Sequence, residues 1–288
     1  MRVPIRPVRG RWPRWVETRT QRFLRFFEDP RAILDDDVEP ERFRLAMSSL
    51  HMGDTFKMTK SDRHPQSDAL LTEHLDLTIS TILDIGASDG STSIDLIRRV
   101  GTFDRYIIAD LYLNVTAVPV GRLMVFRDQS GTDILVAGAR WLAWPALSPI
   151  VKILCRPVTS AARRSPRARE VLLLNPAVRD LLANDERVTS GVHDIFTRWT
   201  GPRPDVIKVA NVLRRLYFSD ERIAQALGVL LDNLVEGGHL LIIDNPMGIA
   251  GIDERGGLYR RQEGKFVLVA RTEHQPEISD LIELTGGA

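Results

Sequence analysis

The sequence predicts an α/β fold in which a doubly wound, mostly parallel sheet of about seven strands carries helices on both faces. Three observations predict it. Short apolar runs of strand type alternate with segments of helical spacing, a glycine-rich turn closes the run at residues 79–86, and Asp or Asn ends several of the runs. The length of 288 residues corresponds to one large domain, or to one domain that carries a sizeable insertion.

The composition excludes several classes of protein. Hydrophobic residues at 43% and charged residues at 27% are typical of a globular protein, not of a disordered chain, a fibre or a polytopic membrane protein. A single cysteine excludes a disulfide framework and any multi-cysteine metal site. The first residues lack the apolar core of a secretory signal, and the apolar stretch at 141–154 is too short to span a bilayer. We therefore expect a cytoplasmic protein.

The first βαβ unit is predicted at residues 79–110. The run STILDIG (80–86) is a buried strand, GASDG (86–90) is the turn, and STSIDLIRRV (91–100) has helical spacing. The run RYIIAD (105–110) is a second buried strand that ends in Asp110. Two buried strands joined through a helix form a parallel pair.

The same alternation returns in the second half of the chain. DVIKVAN (205–211) and GGHLLIID (237–244) are predicted strands, and SDERIAQALGVLLDNL (219–234) is the helix between them, with Ser219 as its N-cap. KFVLVARTEH (265–274) is predicted as one more strand, in an edge hairpin that closes the sheet.

Two segments interrupt the alternation. Residues 1–75 are predicted as a basic arm and a helical cap with an amphipathic helix at 15–29, and the main domain as residues 76–288. Within that domain, residues 111–175 are predicted as an insertion after the second strand. The insertion would contain a hairpin that turns at DQSG (128–131), then an apolar segment and the basic run 156–169.

Positive charge is concentrated in the same two segments. The chain has a net charge of +1, but residues 1–31 hold 9 Arg and Lys against 3 Asp and Glu, and residues 111–180 hold 10 against 4. Arginines beside tryptophans and aliphatic residues suggest an anionic membrane surface as partner, through residues 1–31 and 140–169. Solvated arginines around an apolar lid are the alternative, and no recognisable motif points to nucleic acid. The apolar face of the insertion would comprise Trp141, Trp144, Leu147, Ile150, Val151, Ile153 and Leu154.

The glycine turn is the strongest functional signal. Gly86 and Gly90 allow a sharp turn and close approach of a ligand to the next helix, and Asp110 follows Gly90 by 20 residues, the spacing at which an acid reaches a ribose diol. Ser88 replaces the middle glycine of a dinucleotide motif, and the lysine of a phosphate-binding loop is missing. Asp84 favours a ligand that carries a positive group. These residues predict an adenosine-type ligand.

LDIGASDG (83–90), together with Asp110, VHDIF (192–196), DVIKVANVL (205–213) and VEGGHLLIIDN (235–245), resembles the class I S-adenosylmethionine (SAM)-dependent methyltransferases over residues 79–110 and 185–245. The resemblance implies a Rossmann-like domain with SAM as cofactor. Glu236 stands where that family has the proline of a Pro-Gly-Gly turn, which is not a cofactor contact. The cofactor-binding residues that the resemblance implies are Asp84, Gly86, Ala87, Ser88, Gly90, Asp110, Leu111, His193, Asp194 and Asn211.

The resemblance implies transfer of a methyl group by in-line displacement to a small-molecule acceptor or one of lipid or saccharide type. A SAM-binding assembly or regulatory protein without turnover is an alternative. ANVLRRLYF (210–218) is also similar to a stretch of the chemotaxis-receptor enzymes, which methylate protein carboxyl groups. No metal is expected, because Asn211 stands where metal-dependent catechol-type enzymes carry an acid, although Asp244 and Asn245 match the rest of that pattern.

No side chain is identified as the catalytic base. His51 and His64 precede the first strand of the main domain, in a segment that in this family often closes over the cofactor. Arg63 is a candidate partner for the carboxylate of the cofactor.

Overall fold

The computed structural model of the protein describes residues 3–20, 22–53, 55–57, 63–246 and 254–286. The chain divides into two compact units: Met1–Thr59 with Tyr112–Ala177, and Lys60–Leu111 with Val178–Ala288. The division differs from the boundary predicted at residues 75 and 76. The N-terminal segment and the insertion belong to one unit, which we call the insertion unit, and the other is called the core unit.

The helices and strands are numbered in chain order. The strands are β1 (Ile5–Pro7), β2 (His51–Met52), β3 (Thr55–Phe56), β4 (Thr81–Ile85), β5 (Arg105–Asp110), β6 (Asn114–Val120), β7 (Leu123–Arg127), β8 (Asp133–Ala137), β9 (Trp141–Ala143), β10 (Arg169–Leu172), β11 (Val188–Val192), β12 (Val206–Ala210), β13 (His239–Asp244), β14 (Arg255–Gln262) and β15 (Lys265–Arg271). The α-helices are α1 (Arg14–Thr20), α2 (Pro40–Met47), α3 (Pro65–His74), α4 (Ser91–Val100), α5 (Pro149–Arg163), α6 (Pro176–Asn184), α7 (Asp220–Asn233) and α8 (Ser279–Leu284).

The core unit contains a mixed sheet in the order β11-β5-β4-β12-β13-β14-β15. The first five strands in this order are parallel, whereas β14 is antiparallel to β13 and to β15. The α/β class is therefore confirmed, and the end of the sheet is a hairpin, as predicted for residues 265–274. From β4 the chain proceeds to β5 and β11 on one side, and from β12 to β13 on the other, so a topological switch point lies between β4 and β12.

Helices pack on both faces of this sheet because successive strand residues point to opposite sides. Leu83 and Ile207 belong to the apolar cluster that includes the buried side chains of α7 and α8. On the opposite face, Asp84 contacts Ser93 of α4, and Lys208 contacts Asp68 of α3.

Local sequence accounts for the elements around the switch point. All five residues of β4 are buried, which explains its unbroken apolar run. Helix α7 begins after Ser219, whose side chain accepts a hydrogen bond from the N–H of Arg222, so the predicted N-cap is confirmed.

The insertion unit is built on an antiparallel sheet in the order β1-β9-β8-β7-β6-β10. The predicted hairpin is confirmed as β7 and β8, and Oδ1 of Asp128 accepts hydrogen bonds from the N–H groups of Ser130 and Thr132 in its turn. The N-terminal arm supplies strand β1, which pairs with β9. The prediction of a basic arm and a helical cap did not include this strand.

The amphipathic helix predicted at 15–29 ends at Thr20, as α1. Beyond it, Phe27 forms a bridge with Val8, and its N–H donates to the carbonyl of Pro7. The ring of Phe27 packs against Trp144 at 5.2 Å between centroids. Pairing and packing with remote segments thus replace the helix that the local pattern predicts. Residues 1, 2 and 21 of the predicted basic arm lie outside the described residues.

The predicted apolar face of the insertion is divided between core and surface. Trp144 is fully buried, and its indole N–H donates to the carbonyl of Ser49 at 2.8 Å. On α5, Val151 packs into the unit, whereas Ile150 and Ile153 are 71% and 70% exposed. Trp144 therefore stabilises the fold, whereas the outer face of α5 and Trp141, which is 37% exposed, are presented to solvent.

Candidate functional site

The turn after β4 is held in a left-handed backbone conformation at three positions: Gly86 (φ 77°), Ser88 (φ 59°) and Gly90 (φ 75°). The N–H groups of Gly86 and Ala87 both donate to the carbonyl of Ala109, at 2.8 and 3.1 Å. Positive φ is costly for residues with a Cβ, which explains the two glycines. Ser88 adopts it nonetheless, a kind of local strain that clusters at functional sites.

The two glycines are also required by packing within the core unit. A Cβ on Gly86 would overlap Cγ2 of Val212, and a Cβ on Gly90 would lie 2.9 Å from Cγ2 of Val178. Val212 follows β12, so it lies across the switch point from the turn. Close approach of a ligand to these glycines stays a prediction.

Asp110 ends β5, as predicted, and its carboxylate faces the glycine turn. Its Oδ2 accepts a hydrogen bond from the N–H of Ser88 at 2.8 Å. Asp110 is 6% exposed, whereas Leu111, the next residue, is 42% exposed. The hydroxyl of Ser88 is buried and has no hydrogen-bond partner among the described residues. The structure thus brings the predicted acid and the predicted turn together.

Asp84 lies beneath the turn in the buried face of the sheet and is 1% exposed. Its Oδ2 accepts hydrogen bonds from the hydroxyls of Ser93 and Tyr106, both at 2.8 Å. Lys208, which is fully buried, interacts electrostatically with it. The positive group near Asp84 in this structure is therefore a lysine of the protein, and a contact with the ligand stays a prediction.

His193 and Asp194 follow β11, next to Asp110. The N–H of His193 donates to the carbonyl of Asp110 at 3.1 Å, and its buried Nε2 has no partner among the described residues. Burial lowers the pKa of His193. The carboxylate of Asp194 accepts the N–H of Phe196 at 3.0 Å, so it caps a turn, and its predicted contact with adenine stays a prediction.

Asn211 and Asn245 follow the neighbouring strands β12 and β13, and His64 joins them. Nδ2 of Asn211 donates to Oδ1 of Asn245 at 2.7 Å, and the N–H of Asn245 donates back to Oδ1 of Asn211 at 2.8 Å. Nε2 of His64 lies 2.9 Å from Oδ1 of Asn245. Asn211 has φ 61°, a second left-handed non-glycine residue at this edge of the sheet.

Asp244, the last residue of β13, has a structural role. Its Oδ2 accepts the N–H of Glu277 at 2.7 Å, and burial raises its pKa. Within the described ranges, no group of three or more His, Cys, Asp or Glu side chains is placed to hold a metal ion.

A cavity of about 370 Å³ lies between the start of α3 and the exposed side of α4. Arg63 and His64 contribute to its wall, whereas His51 belongs to the insertion unit, where its ring packs edge-on against Phe56. Burial lowers the pKa of Arg63, and the charge of Arg214 lowers it further. The lining residues are Arg63, His64, Pro65, Asp68, Thr92, Asp95, Arg98 and Arg99.

Sequence reasoning missed two relationships at this edge of the sheet. The sequence pattern relates Asn245 only to a metal site, whereas its amide connects Asn211 to His64. The second relationship is the buried ion pair of Lys208 with Asp68. A lysine within the apolar run DVIKVAN was a signal for the second, because a buried lysine needs an acidic partner.

Comparison with known proteins gives matches among solved structures alone: no protein-family model matches the chain, and no curated protein matches it. SibL, an S-adenosylmethionine-dependent methyltransferase, aligns at 17% identity over 62% of this chain and 35% of its own, with a TM-score of 0.32. Human N-acetylserotonin methyltransferase in complex with SAM aligns at 12% identity over 62% and 34%, also with a TM-score of 0.32.

The N-methyltransferase NodS from Bradyrhizobium japonicum aligns at 16% identity over 63% of this chain and 66% of its own, with a TM-score of 0.32. All three aligned proteins are methyltransferases, and this chain spans about a third of the length of the first two.

Proposed function

We propose that this protein is a SAM-dependent methyltransferase. The observation that carries the proposal is the contact of Asp110 with the N–H of Ser88, which holds a carboxylate against the glycine turn. Ligands of doubly wound folds bind at the carboxyl ends of the strands, at the switch point. An acid in this position suits the two hydroxyl groups of a ribose.

Unpaired polar atoms at this edge of the sheet support a nucleoside ligand. The hydroxyl of Ser88 and Nε2 of His193 are both buried and lack partners among the described residues. Such groups cost free energy until a ligand or water satisfies them. Ser88 follows β4 and His193 follows β11, the strands on either side of β5, which ends in Asp110. A ribose with an attached adenine offers both donors and acceptors.

The residues around the turn would hold the cofactor by charge and shape. Arg63, on the wall of the cavity, would pair with its carboxylate, and Asp110 would hold its ribose. The cofactor supplies an activated methyl group on a sulfonium. The protein has to align the acceptor and exclude water.

A binding experiment followed by a turnover experiment tests this proposal. Calorimetry on the full chain is expected to show one site for S-adenosylhomocysteine and none for NAD. Incubation with methyl-labelled SAM and either a metabolite extract or a lipid extract is then expected to label extractable material, because we propose a small-molecule or lipid- or saccharide-type acceptor. Binding without any label would favour a regulatory SAM-binding protein, and base-labile label on protein would favour carboxyl methylation. Preference for NAD would contradict the nucleoside site itself.

We also propose that the insertion unit rests on an anionic membrane surface, which would place the enzyme at the cytoplasmic face of a membrane. The outer face of α5 presents Ile150, Ile153 and Leu154, which are 71%, 70% and 68% exposed. Lys152 and Arg156 flank them, and no Asp or Glu occurs between Asp133 and Glu170. An apolar helix face with basic flanks is the arrangement that binds anionic headgroups and the acyl boundary.

The arm of the same unit has similar exposed groups, because Trp15 and Phe23 are 68% and 86% exposed among the arginines of residues 1–31. In the described part of the chain, every helix is too short or too polar to cross a bilayer. The contact that we propose is an interfacial one.

A further inference from the structure

The side-chain amides of Asn211 and Asn245 have only one consistent orientation. The backbone N–H of Asn245 can only donate, so the atom of Asn211 that it meets at 2.8 Å is the carbonyl oxygen. Nδ2 of Asn211 must then donate at 2.7 Å to Oδ1 of Asn245. A backbone group thus fixes which atom of Asn245 faces His64.

That orientation selects the tautomer of His64. Its Nε2 lies 2.9 Å from Oδ1 of Asn245, an acceptor, so Nε2 carries the hydrogen and donates it. In the other tautomer, the lone pair of Nε2 would face a lone pair of Oδ1 of Asn245 at 2.9 Å, which is repulsive. That tautomer would gain only a longer hydrogen bond, from Nδ2 of Asn211 to Nε2 at 3.2 Å. Nδ1 is left with a lone pair that points away from both asparagines.

This lone pair is buried and unused. His64 is 3% exposed, and Nδ1 has no hydrogen-bond partner among the described residues. Burial lowers the pKa of His64 to about 3, the charges of Lys208 and Arg63 add to the effect, and the hydrogen bond with Asn245 opposes it. His64 is therefore a neutral acceptor at physiological pH.

We propose that Nδ1 of His64 accepts a hydrogen bond from an O–H or N–H group of the ligand bound at the switch point. The proposal rests on the proposed function for the identity of that ligand. His64 meets Asn211, whose neighbour Val212 packs on Gly86 of the glycine turn, so the histidine lies at the proposed site. An uncharged acceptor also suits a site that receives a sulfonium, because it adds no positive charge. The donor would be the ammonium of the cofactor or the hydroxyl or amine of the methyl acceptor.

The tautomer can be tested without activity. Nitrogen-15 NMR of the histidine-labelled full chain, assigned with His64→Gln, is expected to show a protonated Nε2 and an unprotonated Nδ1 between pH 5 and 8. A proton on Nδ1, or titration near the ordinary histidine pKa of about 6.5, would overturn the proposal. This result does not depend on which cofactor binds.

Two variants test the ligand contact, because Gln keeps a donor near Nε2 and Asn keeps an acceptor near Nδ1. If the cofactor donates, His64→Gln is expected to weaken binding of S-adenosylhomocysteine by about 3- to 10-fold and His64→Asn by less. Binding of 5′-methylthioadenosine, which lacks the amine, would stay unchanged. If the methyl acceptor donates, His64→Gln should bind S-adenosylhomocysteine and 5′-methylthioadenosine with unchanged affinity, and its KM for the acceptor should rise.

A His64→Gln variant that binds and turns over like the unsubstituted chain would overturn the proposal. Failure of the unsubstituted chain to bind S-adenosylhomocysteine would instead count against the proposed function. The tautomer of His64 determined by NMR would still be valid in that case.

Discussion

Nζ of Lys208 lies 2.8 Å from Oδ1 of Asp68, and the side chains are 0% and 5% exposed. Burial lowers the pKa of Lys208, but the carboxylates of Asp68, Asp84 and Asp95 together raise it by more, so the lysine stays charged. The pair joins α3 to the central strand β12. Because His64 immediately precedes α3, this ion pair also sets where the histidine meets the edge of the sheet.

Lys208→Met is expected to lower the free energy of unfolding by about 3–5 kcal/mol, because it leaves buried carboxylates without their cation. Adding Asp68→Leu in the same chain should recover part of that loss. Lys152→Met, at an exposed position of α5, is the control and should change stability by less than about 0.5 kcal/mol. Urea denaturation measures all three, and a single variant as stable as the double would contradict the pairing.

Asp110→Ala is expected to weaken binding of S-adenosylhomocysteine by about 1–3 kcal/mol, through loss of charge-assisted hydrogen bonds. Asp110→Asn should lose less, since its amide oxygen can still accept the N–H of Ser88. The exposed Asp104→Ala provides the control. Calorimetry that finds unchanged affinity in a folded Asp110→Ala chain would argue against the ribose contact.

Gly86→Ala is expected to destabilise the core unit by more than the roughly 1–2 kcal/mol that positive φ costs an alanine, because its Cβ overlaps Val212. Val212→Ala in the same chain should relieve the overlap, so that the double variant loses less than the sum of the single ones. Gly191→Ala meets no atom within 4 Å and should be nearly neutral. Strict additivity in denaturant unfolding would contradict the contact.

The pH dependence of the free energy of unfolding should show that His64 is neutral in the folded chain. The folded chain keeps His64 neutral down to about pH 3, whereas the unfolded chain protonates it below about 6.5. The unfolded state therefore binds more protons between these values, and stability falls as the pH falls through this window. His64→Gln removes that contribution, so its free energy of unfolding should fall less steeply, by up to about 1.4 kcal/mol per pH unit. Parallel curves between pH 4 and 7 would count against a buried neutral histidine.

Membrane contact can be tested with substitutions on the surface of α5. Deleting residues 120–165 would remove the three strands β7, β8 and β9 from the sheet, so point changes are the better test. Ile150→Ser, Ile153→Ser and Leu154→Ser together are expected to lower partitioning onto phosphatidylserine vesicles about a hundredfold, at roughly 1 kcal/mol for each partly buried side chain.

The controls for the vesicle test come from the lipid and from the other unit. Binding to purely zwitterionic vesicles should be weaker, and salt should reduce binding to the anionic ones. Leu216→Ser, at a residue of the core unit that is 63% exposed, should leave binding unchanged. If the triple variant bound anionic vesicles as strongly as the unsubstituted chain, α5 would not be the membrane-binding surface.

Features that depend on local chemistry were predictable from the amino-acid sequence. The strand, turn and helix around Gly86 follow from burial of β4 and from the positive φ that glycine tolerates. The position of Asp110, the N-cap Ser219 and the hairpin of β7 and β8 were predictable for the same reason. Each depends on residues close together in the chain.

Contacts between segments that are remote in sequence could not be predicted in this way. The arm and the insertion share one sheet because β1 pairs with β9, and Trp144 is buried because Phe27 lies against it. His64 meets Asn245 across 181 residues of sequence. No periodicity or spacing encodes such contacts, since the free energy that selects them comes from burial and hydrogen bonding that exist only once the chain is folded.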